Sequence, residues 1–175
     1  MPRPWSGYIW RMAGTVLTLR TATATDIGAV DALLARSYLR LLKADYPPSV
    51  MVTAVPLISR ARPGLVASGR YYLAEGSDGR LLGAGGWSIR GGAKGVAEVR
   101  HLATDPDALR QGVARRIVGS VLDAARDAGL AGIGCLSTRT AVPFYEAMGF
   151  RGAEAVDIPL AAGIVFPAVR MFRTL

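Results

Sequence analysis

The chain predicts a single-domain α/β (α+β) fold: a mixed, mostly antiparallel sheet with helices packed on it. Three observations carry this. Tyr71–Glu75, Leu81–Ile89 and Val96–Thr104 read as a meander of strands, with Asp78-Gly79 as a strong hairpin signal between the first two. Two stretches have helical period: Ile27, Val30, Leu33, Leu34, Tyr38, Leu41 and Leu42, then Val113, Ile117, Val121, Leu122 and Ala125. The second helix joins two strand-like runs, Val96–Thr104 and Ile133–Ser137. Such a unit makes its strands parallel neighbours with a right-handed crossover.

The remaining elements follow in order. Val16–Arg20 alternates as a short strand. Thr25 precedes Asp26 as a cap and first-turn acid for the first helix, and Pro47-Pro48 is expected to end it. Met51–Ile58 reads as a second short helix. Gly91-Gly92-Ala93-Lys94-Gly95 reads as a turn, and Asp105-Pro106 closes the third meander strand. Gly129 suits the C′ position of the long helix. Thr140 and Pro143 open a short helix through Phe144, Tyr145 and Met148 that stops at Gly149. Ala153–Ile158 and Val169–Arg173 are the last strands, and Pro167 argues against a central strand around it.

Composition narrows the class. The 175 residues suffice for one domain with a substantial core, and 51% hydrophobic against 19% charged residues excludes a disordered chain. The net charge of +8 comes from arginines spread along the chain, which fits solubility and attraction of an anionic small ligand better than nucleic acid. Cys135 is the one cysteine, so no intrachain disulfide forms, and a reducing, cytoplasmic setting is expected. No run of about 18 apolar residues marks a membrane span. Residues 1–14 are read as a basic tail or docking arm holding Trp5 and Trp10, with the folded domain over 15–175.

The stretch Leu109-Arg110-Gln111-Gly112-Val113-Ala114-Arg115-Arg116 stands where strand gives way to helix. The first turn of a helix offers amides without intrahelical partners and the positive end of the dipole. Gly112 and Ala114 admit close backbone approach, and Arg110, Arg115 and Arg116 add charge, so this is a seat for a phosphate. Gly-Lys-Ser/Thr is missing at the helix start, which argues against a P-loop.

Gly112-x-Ala114, six residues after Pro106, resembles the phosphate motif of the GNAT superfamily of acyl-CoA-dependent N-acetyltransferases. Leu109 stands where that family usually has Gln or Arg. A second signature agrees: Ala141-x-x-Phe144-Tyr145-Glu146-x-x-Gly149-Phe150 matches the family's helix, in the right order and one helix and one strand later. The resemblance covers roughly residues 15–175. It implies a splay between the central parallel strands, helices on both sheet faces, and an acyl-pantetheine arm in the splay beside Leu102, Ala103 and Thr104. The pyrophosphate would rest on Arg110, Gln111, Gly112, Val113, Ala114 and Arg115. Thr138, with Ser137 and Thr140 beside it, would replace the family's Asn on the arm.

The resemblance also assigns chemistry. Tyr145 matches the tyrosine that protonates the leaving thiolate, a role for which a phenol is suited; a packed core tyrosine is the alternative. Glu98 matches the position of a carboxylate that takes the amine's proton directly or through water; an ion pair with a basic neighbour is the alternative. Strict alternation would place Glu98, Arg100, Leu102 and Thr104 on one face and His101, the only histidine, on the other. His101 is the second candidate base. Cys135 is expected to behave as a small buried hydrophobe rather than a nucleophile. Tyr38, Tyr46, Tyr71, Trp87 and Asp157 are acceptor-pocket candidates, and equally core or edge residues.

The expected activity is acetyl transfer from acetyl-CoA to a primary amine of a small molecule or peptide in a ternary complex. The alternative is a non-catalytic acyl-CoA-binding regulatory module. No metal is expected. The amine acceptor and a second copy of the chain in a homodimer are the expected partners; nucleic acid and membrane are not.

Overall fold

The computed structural model describes residues 8–12, 15–90 and 96–175. The expected turn at Gly91–Gly95 and residues 1–7 and 13–14 of the expected tail lie outside them. The strands are β1 (Tyr8–Met12), β2 (Thr15–Thr21), β3 (Tyr71–Gly76), β4 (Leu81–Arg90), β5 (Val96–Thr104), β6 (Gly132–Ser137), β7 (Arg151–Ala161) and β8 (Ile164–Thr174). They form one sheet in the order β1-β2-β3-β4-β5-β6-β8-β7. Every neighbouring pair is antiparallel except β5 and β6, so the mixed, mostly antiparallel sheet expected from the sequence is present.

Residues 8–12 correct one expectation: this part of the tail is a strand paired with β2. The second helix is two, α2 (Pro48–Thr53) and α3 (Val55–Ile58), followed by α4 (Pro63–Val66). Pro56 near the start of α3 cannot donate the amide that a continuous helix needs. The first helix, α1 (Ile27–Leu41), stops six residues before Pro47 and tightens into a 3-10 turn over Leu42–Ala44.

Pro167 lies inside β8, contrary to expectation. The β6 ladder reaches only Val169, so β8 has β7 alone as a neighbour at Pro167. The Pro167 carbonyl accepts from the Tyr46 hydroxyl at 2.8 Å, away from β7. Carbonyl and nitrogen of a strand residue point the same way, so the missing N–H costs no ladder bond.

The two long helices cover opposite faces. A Cβ on Gly83 would strike Val113 and Ile117 of α5 (Val113–Asp127), while its neighbour Ala84 packs with Val30, Leu33 and Leu34 of α1. Successive strand residues point to opposite faces, so the sheet is sandwiched. The face under α5 also takes Tyr145, Met148 and Phe150, from and just after α6 (Val142–Ala147).

A buried carboxylate ties the two faces at the end of β5. Asp105, fully buried, accepts from Arg36 of α1 at 2.7 Å, from Arg80 of the β3–β4 hairpin at 3.0 Å and from the Asp107 amide at 2.9 Å. Burial raises its pKa, but these bonds outweigh burial and hold the carboxyl below the usual range. Removing both guanidinium groups (Arg36→Ala with Arg80→Ala) strands a buried charge. The expected loss of stability is about 3–5 kcal/mol, against under about 1 kcal/mol for the exposed Arg40→Ala, read from urea midpoints.

Candidate active site

The parallel ladder between β5 and β6 is short. It holds Ala97↔Ile133, Glu98↔Gly134 and Val99↔Cys135 and then stops, although β5 continues to Thr104 and β6 to Ser137. Beyond Val99 the strands diverge and the sheet opens at its centre. This is the expected splay.

A bulge reshapes the β5 side of the opening. Between the pairs Ala84↔Ala103 and Gly86↔Arg100, Gly85 of β4 faces two residues of β5, His101 and Leu102. His101 takes the extra place with φ +48°, an uncommon conformation for a residue with a Cβ. The Tyr71 hydroxyl fixes it by donating to the His101 carbonyl at 2.9 Å. The bulge overturns strict alternation along β5. Glu98 and Arg100 share one face, but Leu102 packs on Ile117 of α5 on the other.

Past the bulge the Asp105 amide donates to Leu82 of β4 at 2.8 Å. Alternation then directs the backbone of Thr104 and Leu102 away from β4, into the splay, and that of Ala103 toward β4. The backbone of Leu102 and Thr104 therefore faces the splay and not the β4 ladder. Ala103, expected beside them, does not: its backbone belongs to the β4 ladder and its side chain to the α1 cluster.

At the end of the splay stands the start of α5. Gly112 is its N-cap with φ +77°, and Arg110 is also left-handed at φ +62°. The first intrahelical bond is Arg116 N–H to Gly112 carbonyl at 3.1 Å, so the amides of Val113, Ala114 and Arg115 precede the helical ladder. A Cβ on Gly112 would meet nothing within 4 Å, so the approach to these amides is open. Arg110, Gln111 and Arg115 are exposed around it, and the Val113 side chain anchors the turn in the core. Leu109 projects 44% exposed and lends no charge.

Tyr145 of α6 is 5% exposed and lies edge-on between Phe144 and Phe150. Burial, then the nearby Cys135 and Tyr38, raise its pKa well above the usual value, so the phenol keeps its proton at neutral pH. Tyr38 belongs to α1 on the opposite face. Thr138 follows β6 and stands at the N-cap position of the 3-10 turn Arg139–Ala141, with no side-chain capping bond.

Glu98 is 8% exposed and accepts from Arg100 Nη1 at 2.7 Å. His101 is depressed to about 4 by burial and by the charges of Arg62 and Arg100; it is a neutral imidazole and a weak base. The bulge at His101 removes the strict alternation that would have set it opposite Glu98. Its buried Nδ1 has no hydrogen-bond partner. The Cys135 thiol is pushed to about 12 by burial and by Glu98, which leaves no thiolate for an acyl-cysteine route.

Of the acceptor-pocket candidates, only Tyr38 reaches the splay. The Tyr46 hydroxyl bridges the Pro167 carbonyl and the Arg139 amide, both at 2.8 Å. Tyr71 holds the bulge, Trp87 is core under the Arg70 guanidinium, and Asp157 lies exposed on β7. Sequence reasoning missed Asp105 as the anchor of the segment between β5 and α5 and Tyr71 as the brace of the bulge. Asp before Pro at a strand end carries a capping signal for the first; nothing in the residue types marks the second.

An opened parallel pair, a strand edge facing the opening and a helix start with unpaired first-turn amides stand together in one α/β domain. The acetyltransferase (GNAT) family model matches residues 35–150, and the chain belongs to that family; it is an acyltransferase. Three solved structures share the fold. A GCN5-related N-acetyltransferase from Rhodopseudomonas palustris is 17% identical, with 90% of this chain and 94% of that one covered and a TM-score of 0.75. The PaiA N-acetyltransferase of Thermoplasma acidophilum, in complex with coenzyme A, is 12% identical over 91% and 99%, at 0.70. A ribosomal-protein-alanine N-acetyltransferase from Escherichia coli is 19% identical over 90% and 93%, at 0.61. No curated protein matches the chain.

Proposed function

We propose that this chain moves an acetyl group from acetyl-CoA to a primary amine of a small molecule or peptide, by direct attack in a ternary complex. The observation that carries the reading is the opening between β5 and β6, which ends at the start of α5. The thioester arm lies along the free edge of Leu102 and Thr104, with Thr138 across from it, and the pyrophosphate rests on the amides of Gly112 to Arg115 with Arg110 and Gln111 around it. The Leu102 amide holds the thioester oxygen as it becomes an oxyanion. The amine nitrogen forms its bond to the acyl carbon while Glu98, directly or through water, takes its proton. The C–S bond then breaks, and Tyr145 gives its proton to the departing thiolate. The CoA-bound neighbour and the two N-acetyltransferase neighbours support this donor and this kind of acceptor. We take the transferase domain to run over residues 15–175 in the cytoplasm, with residues 1–14 as an appendage whose β1 extends the sheet.

Titration calorimetry tests the donor site. Acetyl-CoA is expected to bind the wild type, and Gly112→Ala is expected to weaken it tenfold or more. A Cβ there stands in the anion's path and strains a left-handed residue by about 1–2 kcal/mol. Thiol release over a panel of amines tests the transfer. Binding without release on any amine would favour a regulatory module; no binding would remove the donor assignment.

A further inference from the structure

On its α1 side the opening is met by Tyr38. Among the described side chains of α1, Tyr38 alone bonds the splay-facing edge of β5: its hydroxyl donates to the Leu102 carbonyl at 3.3 Å. That carbonyl faces the splay, on the residue whose amide is assigned to the thioester oxygen. The ring packs against both apolar clusters of the α1 face. One is Val30, Leu34 and Tyr71; the other is Leu42, Val55, Phe166 and Ala168. The phenol therefore stands between the β5 edge at Leu102 and the apolar clusters of the α1 face.

We propose that Tyr38 sets the length of the acyl chain this enzyme accepts, by closing the α1 end of the opening just beyond the thioester. The proposal rests on the acyl-CoA reading and extends it. Tyr145 guards the sulfur from the α5 face, and Tyr38 stops the acyl tail from the α1 face. An acetyl methyl fits before the phenol, whereas each further methylene must displace a ring held by a hydrogen bond and by two packed clusters. Because the surroundings of Tyr38 are apolar, removing the ring leaves a space that suits an alkyl chain.

The experiment compares acetyl-, butanoyl- and hexanoyl-CoA on wild type, Tyr38→Phe, Tyr38→Leu and Tyr38→Ala. It reads kcat/KM for transfer and, separately, Kd by calorimetry. Wild type is expected to favour acetyl over butanoyl by tenfold or more, in keeping with the discrimination one or two methylenes give in an apolar pocket. Tyr38→Ala is expected to raise the butanoyl-to-acetyl ratio at least tenfold. Tyr38→Leu, which preserves cluster packing, is expected to move it the same way by less. Tyr38→Phe retains the wall and is expected to hold the ratio within threefold. Equal ratios in wild type, Tyr38→Leu and Tyr38→Ala, with CoA still bound, would overturn the acyl-length role and leave the donor site standing. Failure of the wild type to bind any of the three thioesters would instead overturn the donor reading itself, and this proposal with it.

Discussion

Tyr145→Phe is expected to lower kcat for acyl transfer by about 10²-fold, with the Kd for acetyl-CoA changed less than threefold. The phenol is buried between Phe144 and Phe150, so its ring is already a core element that phenylalanine reproduces. Only the hydroxyl is lost. The proton it supplies matters when the C–S bond breaks, and positioned proton transfer contributes about 10²–10⁴ in rate. An interaction made only in the transition state lowers kcat and kcat/KM together. Burial and the neighbouring Cys135 and Tyr38 keep this phenol protonated well past the usual tyrosine range. The loss is therefore expected to be uniform from about pH 6 to 9. Unchanged kcat in a stably folded Tyr145→Phe would reduce Tyr145 to a core aromatic.

Much of the fold was legible because it rests on periodicity. The 3.6-residue spacing of α1 and α5 and the Asp78-Gly79 turn are local signals, and they determine which faces are buried. The start of α5 was legible for the same reason: Gly112 stands there at φ +77°, a backbone demand that glycine meets without strain. Three features were hidden because they depend on partners distant in the chain. The bulge at His101 reverses the side-chain parity of β5, yet histidine signals the left-handed region far more weakly than glycine would. What holds it there is the Tyr71 hydroxyl, thirty residues away. Pro167 reads as a strand breaker until the ladder shows that β6 ends at its Ser137↔Val169 pair. Tyr38 looks like one more apolar position of α1, and its place at the opening follows from how α1 crosses β5. Helical period fixes which face of α1 is buried but not which strand edge that face meets.

Glu98→Gln is expected to reduce kcat by about 10²-fold or more, again with acetyl-CoA affinity preserved, because the amide cannot accept the amine's proton. The Arg100 contact makes this prediction sharp. Glu98 is buried and bonded to Arg100 at 2.7 Å, an arrangement that also suits a purely structural ion pair. The two roles separate when the pair is cut from each side. Glutamine retains an oxygen for the Arg100 guanidinium, so the fold should lose little in Glu98→Gln while transfer collapses. Arg100→Met leaves the carboxylate buried and without this partner, so it should cost more stability than Glu98→Gln while the proton acceptor stays in place. Activity following the carboxylate and stability following the ion pair is the signature of a base held in position by Arg100. If both variants lose stability in parallel and keep kcat within threefold, Glu98 is a counterion, and the amine's proton leaves by another route. His101 would not supply that route efficiently, since burial and the charges of Arg62 and Arg100 hold its pKa near 4.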